Sequence, residues 1–252
     1  MYIFIAALLL NSVLLSTSLY PKLLTDVLCE KQIISYPACL FQWFAYYFLT
    51  GSEMPLLAAM AYDRYVSICK PLRYPAIMRK SNTSIFLLLA WLLSACLVTV
   101  PVSLSADAKL CNFTFKGIIC SSGVIKLRCV SSRVLYIYGF VALVNLHVLP
   151  VLFILFTYTR ILILSYQSCR EVRRKAAQTC LPHLLVLMNF TCSMGFDVIL
   201  ARLDIDFSQT VRLIMTLQVI LYSPLFNPII YGLKMKEISK HLKRLLCPGK
   251  VS

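Results

Sequence analysis

Glu53 and Asp197 are carboxylates set among apolar residues. An ionised side chain at membrane depth costs roughly 2.5–3.5 kcal/mol on insertion scales, so such a group ordinarily faces the interior of a helix bundle and marks function. Glu53, flanked by apolar neighbours, is the sharper of the two, whereas Asp197 lies close enough to the end of its run to reach the interface. The three histidines, His147, His183 and His241, fall in separate segments with no cysteine or carboxylate at ligand spacing. They read as packing or interface residues and not as a metal site. Neither G-x-S-x-G nor H-E-x-x-H occurs, and seven glycines leave no phosphate-cradling loop. These residues point to no enzyme, no metal and no cofactor.

The elements that must carry these groups are set by composition. Hydrophobic residues make up 60% of the 252 positions and charged residues 14%, against roughly 45–50% and about 25% in soluble proteins. Mean hydropathy is +0.79. A water-facing shell could not be built from so few polar residues. Six uncharged stretches, each at least 21 residues long, run Met1–Pro21, Gln32–Ser52, Ser81–Ala106, Val134–Thr159, Ala176–Phe196 and Leu213–Leu233. About 20 helical residues cross a hydrocarbon layer of roughly 30 Å. Barrel strands would be about 10 residues long and would alternate apolar with polar. The runs do neither, which predicts an all-α membrane protein of one domain, 1–252, with spans over about 1–24, 33–62, 83–105, 134–160, 176–200 and 210–232. Prolines at 55, 101, 150, 182, 224 and 228 lie in or beside these spans, where each frees a carbonyl and bends its helix.

The net charge of +15 sits in the loops, not on a basic face, which argues for membrane topology and against nucleic acid as a partner. Sixteen of the 25 basic residues, including Arg64, Arg79, Arg160 and Arg174, fall in the second and fourth connections and the tail, beside only Asp63, Glu171 and Glu237. The positive-inside rule turns that side, and with it both ends of this chain, to the cytosol. Met1 opens directly into the first run without the pattern of a cleaved signal peptide. Met235, Ile238, Leu242, Leu245 and Leu246 recur at helical spacing among basic residues, which predicts an amphipathic helix over 234–246 lying on an anionic leaflet. Cys247 closes that helix as a candidate for palmitoylation or a free thiol.

Sidedness also sorts the cysteines. Cys29, Cys39, Cys111, Cys120 and Cys129 fall on the outer side, where disulfides persist, and spacing alone leaves their pairing open. Asn112-Phe113-Thr114, in the long outer loop 107–133, is a glycosylation sequon on the side where it can be used.

At the end of the second run the chain reads Met60-Ala61-Tyr62-Asp63-Arg64-Tyr65, continuing Val66-Ser67-Ile68-Cys69-Lys70-Pro71-Leu72-Arg73-Tyr74. This resembles the MAYDRYVAICxPLxY signature of the odorant (olfactory) receptors, a branch of the rhodopsin-like G-protein-coupled receptors. Met1-Tyr2 resembles the PMY that opens the family's second helix, and Pro21-Lys22 the PK that ends it. Lys175 to His183 resembles the KAFSTCxSH of helix six, and Pro224 to Tyr231 the PxLNPIIY of helix seven. The three-cysteine outer loop is similar as well, and its wording from Phe113 to Gly117 looks nearest to fish members.

The resemblance implies a rhodopsin-like helix bundle and a set of roles. Cys39 would pair with Cys120, and Cys111 with Cys129. Asp63, Arg64 and Tyr65 would form the switch that opens the cytosolic face to a heterotrimeric G protein of the stimulatory type, raising cAMP. Asn227, Pro228 and Tyr231 would relay the movement of helix seven. A small organic odorant would sit in the outer halves of helices three, five, six and seven. Counting helical turns from Arg64 assigns Tyr46, Tyr47, Thr50 and Gly51 to its wall, with Ala142, Leu143 and Leu146 from helix five and Thr191, Met194, Gly195 and Val198 from helix six. The implied location is the plasma membrane.

Three departures stand out. The family's helix-two aspartate falls at Ser12, beside Asn11, so the polar cluster around Glu53 is altered. The aromatic usual near Thr191 is absent. Helix one, with its Gly-Asn motif and glycosylated outer tail, has no counterpart, so the six runs align with helices two to seven. Two other readings follow: a non-signalling truncated receptor, or a six-span transporter or channel subunit. The latter predicts internal repeats, broken Gly-rich helices and several intramembrane charges, none of which is evident.

Overall fold

The computed structural model describes residues 2–29, 31–114, 119–130, 132–166 and 183–195, together with 174, 180, 181, 210, 211, 214, 217 and 218. The expectations for Val198, Asn227, Pro228, Tyr231, Cys247 and the helix over 234–246 lie outside these residues, as does most of the last span.

Helices dominate because backbone polar groups in hydrocarbon have only each other to bond. In order come α1 (Tyr2–Leu28), α2 (Tyr36–Cys69), a 3₁₀ turn (Pro71–Arg73), α3 (Tyr74–Ile77) and α4 (Lys80–Ala106). α5 (Arg133–Leu143) passes through a π-helical turn (Val144–Val148) into α6 (Leu149–Tyr166), making one 34-residue rod. α7 (His183–Gly195) follows. Among the described residues the only β pairing is the isolated Leu110–Arg128 bridge. The π turn stands immediately before Pro150. A proline there cannot bond the carbonyl four residues back and its ring crowds it, and a widened turn relieves both demands.

Among the described residues, three elements are long and apolar enough to cross a bilayer on those grounds alone: α1, α4 and the Arg133–Tyr166 rod. α2 is as long as the rod but carries Gln42, Ser52, Glu53 and Asp63, all buried. It packs against α1, α4 and α6, so its neighbours are protein and not lipid, and it can hold polar groups that a lipid-facing helix could not. Hydroxyls on the spans turn back onto their own helix: Ser12 donates to the Leu8 carbonyl and Ser16 to that of Ser12, each at 3.0 Å. The main core gathers Phe4 and Leu8 of α1, Leu56 and Leu57 of α2, Ile154 of α6 and Phe190 of α7.

Candidate functional site

At one end of α2 the Asp63 carboxylate is 1% exposed and accepts from Arg64 Nη2 at 3.0 Å. The Tyr74 hydroxyl donates to the other carboxylate oxygen at 2.9 Å. Tyr74 opens α3, and the intervening Pro71–Arg73 turn folds the chain back so that it reaches Asp63. Burial and the neighbouring Asp63 carboxylate raise the Tyr74 phenol above its ordinary range, with the Arg64 charge opposing them, so it stays a donor at neutral pH. Tyr65 stacks near Tyr62, with the Lys70 ammonium 5.9 Å above its ring. Asp63 and Arg64, expected as a switch, are therefore joined by a third member that sequence reasoning passed over. Its signal was present, since Tyr74 closes the same motif.

Some three helical turns along α2 from Asp63 lies a buried polar centre. Asn11 Nδ2 donates to the Leu49 carbonyl at 2.8 Å. Its Oδ1 accepts from Ser52 Oγ at 2.8 Å and from Trp91 Nε1 at 3.3 Å. One amide thus ties α1, α2 and α4 together, beside the buried Glu53. Ser12, where an aspartate was expected from the resemblance, is buried and turned onto its own helix. Among the described residues no group of three or more His, Cys, Asp or Glu is placed to hold a metal ion.

The residues expected to line a ligand pocket divide. Tyr46 and Tyr47 lie edge to face, 4.9 Å between centroids, in a cluster with Leu15, Leu19 and Ile119 that Met194 of α7 joins. The Thr50 hydroxyl is buried and donates to the Tyr46 carbonyl at 2.6 Å. Gly51 turns instead toward α4, where an added Cβ would lie 2.7 Å from Ser94 Oγ and 3.1 Å from Leu146 Cδ1. Its smallness lets α4 and the buried Leu146 approach α2 closely. Ala142 and Leu143 are half-buried in the last turn of α5. On α7, the Thr191 hydroxyl is buried without a hydrogen-bond partner among the described residues, and a Cβ on Gly195 would meet nothing within 4 Å there.

At the opposite end of α2 from Asp63, Cys39 is bridged to Cys120 with Cα atoms 5.3 Å apart. Cys111 is bridged to Cys129 at 4.8 Å. The Cys120 N–H donates to Gln42 Oε1 at 2.9 Å, fixing the loop over the helix bundle. Asn112 is exposed, its Oδ1 accepting from the Thr114 N–H at 3.0 Å. Cys29 is a free, exposed thiol.

One central helix thus carries a string of buried polar groups, with a disulfide-held cap at one end and a charged cluster at the other, as suits a polar-cored membrane helix bundle. Residues 1–249 match the olfactory receptor family. Human olfactory receptor 2A12 is 34% identical over 254 residues, covering 98% of this chain and 80% of that protein. Human olfactory receptor 51E1 is 32% identical over 248 residues, covering 97% and 78%. Human olfactory receptor 10K1 is 31% identical over 259 residues, covering 98% and 79%. The chain belongs to the olfactory receptor family. It is an odorant-sensing G-protein-coupled receptor with a rhodopsin-like helix bundle, a multi-pass membrane protein and not an enzyme.

Proposed function

We propose that odorant binding in the half of the bundle nearest the disulfides raises cAMP through a heterotrimeric G protein of the stimulatory, olfactory type. The observation that carries this reading is the latch at Asp63, which holds Arg64 and Tyr74 together at the end of α2. On this reading that end faces the cytosol at the plasma membrane, both ends of the chain are cytosolic, and Asn112 carries a glycan outside. Tyr46, Tyr47 and Met194, which pack in one cluster, together with Thr191, whose hydroxyl has no partner among the described residues, would offer an apolar wall with few polar handles, suited to small organic molecules. An odorant that favours the open bundle shifts the population by its differential affinity, a matter of about 1–3 kcal/mol for typical couplings. Asn227, Pro228 and Tyr231 relay the movement of the last helix, and Cys247 anchors the tail as a palmitoylated thiol.

The test is odorant-evoked cAMP in cells expressing the chain, against Arg64→Ala at matched surface level. Loss of the response with surface expression intact supports the reading. Unchanged cAMP output overturns the role of Arg64, and a current carried without G protein overturns the receptor reading altogether.

A further inference from the structure

Outside the bundle's interior, α2, α4 and the Arg133–Tyr166 rod leave a groove of about 500 Å³ between them. Its floor is Ala58 and Ala59 of α2, and its walls are Leu89 and Leu93 of α4 and Leu149 and Phe153 of α6. Small residues on the floor and large ones on the rims make it concave. Leu89 and Leu149 are each more than half exposed, so the groove opens to the surroundings of the helices. Those surroundings are hydrocarbon. From Asn145 at one end to Phe153 near the other, the groove follows the rod for eight residues, about 12 Å at the helical rise, which is the length of a substantial piece of an acyl chain.

Charge at one mouth says which lipid. Arg79, the N-cap of α4, stands seven residues before the groove residue Phe86, and Arg160 stands seven residues after Phe153. Seven residues is about two helical turns, so Arg160 shares a face with Phe153 about 10 Å further along, and Arg79, the extended residue that caps α4, stands at the same end of the groove about two turns from Phe86. Both arginines are exposed, and neither forms an ion pair among the described residues. Guanidinium groups are suited to phosphate, which they bind bidentately.

We propose that this groove is a binding site for one anionic phospholipid of the leaflet on the Arg64 side, an acyl chain lying over Ala58 and Ala59 and the headgroup held between Arg79 and Arg160. The site rests on the sidedness proposed above, but it is separate from the odorant wall and involves no step of signalling.

The experiment uses the full chain in vesicles of phosphatidylcholine doped with a phosphatidylserine bearing a diazirine on its acyl chain, followed by peptide mapping. Labelling on Leu89, Leu93 and Phe153 should exceed that on Leu155 and Leu162, exposed residues on the far face of α6, by several-fold. Arg79→Gln with Arg160→Gln should remove the preference for the serine lipid, and Ala59→Trp should abolish groove labelling. Labelling spread evenly around the rod overturns the proposal. So does equal groove labelling by a diazirine phosphatidylcholine, or displacement of the label by a sterol and not by phosphatidylserine. The unmodified chain alone decides these outcomes, whether or not the variants fold. Because the readout needs neither odorant nor G protein, its failure leaves the receptor reading standing, and the cAMP assay fails independently of it.

Discussion

The Tyr158 hydroxyl meets Nδ1 of His183 at 2.5 Å, joining α6 to α7 through two buried side chains. The rings lie edge to face at 5.5 Å. This contact coexists with the paired Asp63–Arg64 latch, so on the switch reading proposed above it belongs to the closed arrangement of the helices. On the same reading, opening that face by moving α7 away from α6 would break it.

Tyr158→Phe keeps the ring and deletes the hydroxyl. A neutral buried hydrogen bond contributes about 1 kcal/mol net. Its loss should therefore raise the open fraction roughly fivefold, and basal cAMP with it, at unchanged surface expression. Basal signal equal to the parent, with an equal odorant response, would show that the contact does not distinguish the two states.

Tyr74→Phe should act in the same direction and more strongly, because its hydroxyl donates to a buried carboxylate. Bonds to charged groups contribute about 1.5–3 kcal/mol, so basal activity should rise roughly tenfold or more. The pH dependence has a definite sign. The Tyr74 phenol is raised by burial first and by Asp63 second, so its contribution is complete below the ordinary tyrosine range near 10 and is lost only as pH rises through the still higher folded value. Basal activity of the parent should thus owe nothing to Tyr74 titration between about pH 6 and 8. A difference between parent and Tyr74→Phe that collapses within that window would refute the hydrogen bond as its cause.

Much of this molecule is legible in its sequence, and the reason differs from element to element. α4 and the Arg133–Tyr166 rod face lipid, so they must be apolar nearly all round, and uncharged runs reveal them. α2 was recognisable as a span only because its polar residues are few and its signature is specific. Its neighbours were less visible: counting turns from Arg64 assigns Gly51 to the ligand wall but does not foresee that it packs against Ser94 of α4 as well as Leu146. Small angular errors accumulate along a 34-residue helix that has Pro55 in its interior. The Asn11 cluster joins residues 38, 41 and 80 positions apart, and nothing local in any of them announces the others. His183 was read as a packing residue, which describes its burial but not its bond to Tyr158.

Gly51 supplies a test of that contact. Ser94 cannot simply swing aside from a new Cβ at 2.7 Å, because its hydroxyl donates to the Phe48 carbonyl at 2.8 Å. Overpacking of this kind costs about 1–3 kcal/mol. Gly51→Ala should lower the thermal midpoint in detergent by several degrees, on the order of 2–4 °C per kcal/mol for a chain of this size. Ser94→Ala on top of it should recover part of the loss, a non-additivity expected only of residues in contact. If the double variant is no better than the sum of the singles, the helices are not held together at this point.

The two disulfides should differ in consequence, although spacing alone could not have distinguished their partners. The Cys39–Cys120 bridge closes a loop of 81 residues and the Cys111–Cys129 bridge one of 18. Loop-closure entropy assigns them about 4.5 and about 3 kcal/mol respectively. The larger value falls on the bridge that also has more built around it. Cys39 and Cys120 are buried with Trp43 and Val124, and Cys120 donates its N–H to Gln42. Cys111 sits in the exposed outer strand of the loop beside Asn112. Cys39→Ser should therefore lose most of the folded receptor at the cell surface, whereas Cys111→Ser should retain a substantial fraction, both measured by antibody staining of unpermeabilised cells. Adding the partner substitution, Cys120→Ser or Cys129→Ser, should change little, since each bridge is already broken. A greater loss from Cys111→Ser than from Cys39→Ser would mean that the loop's own fold, and not its attachment to α2, limits the assembly of the outer face.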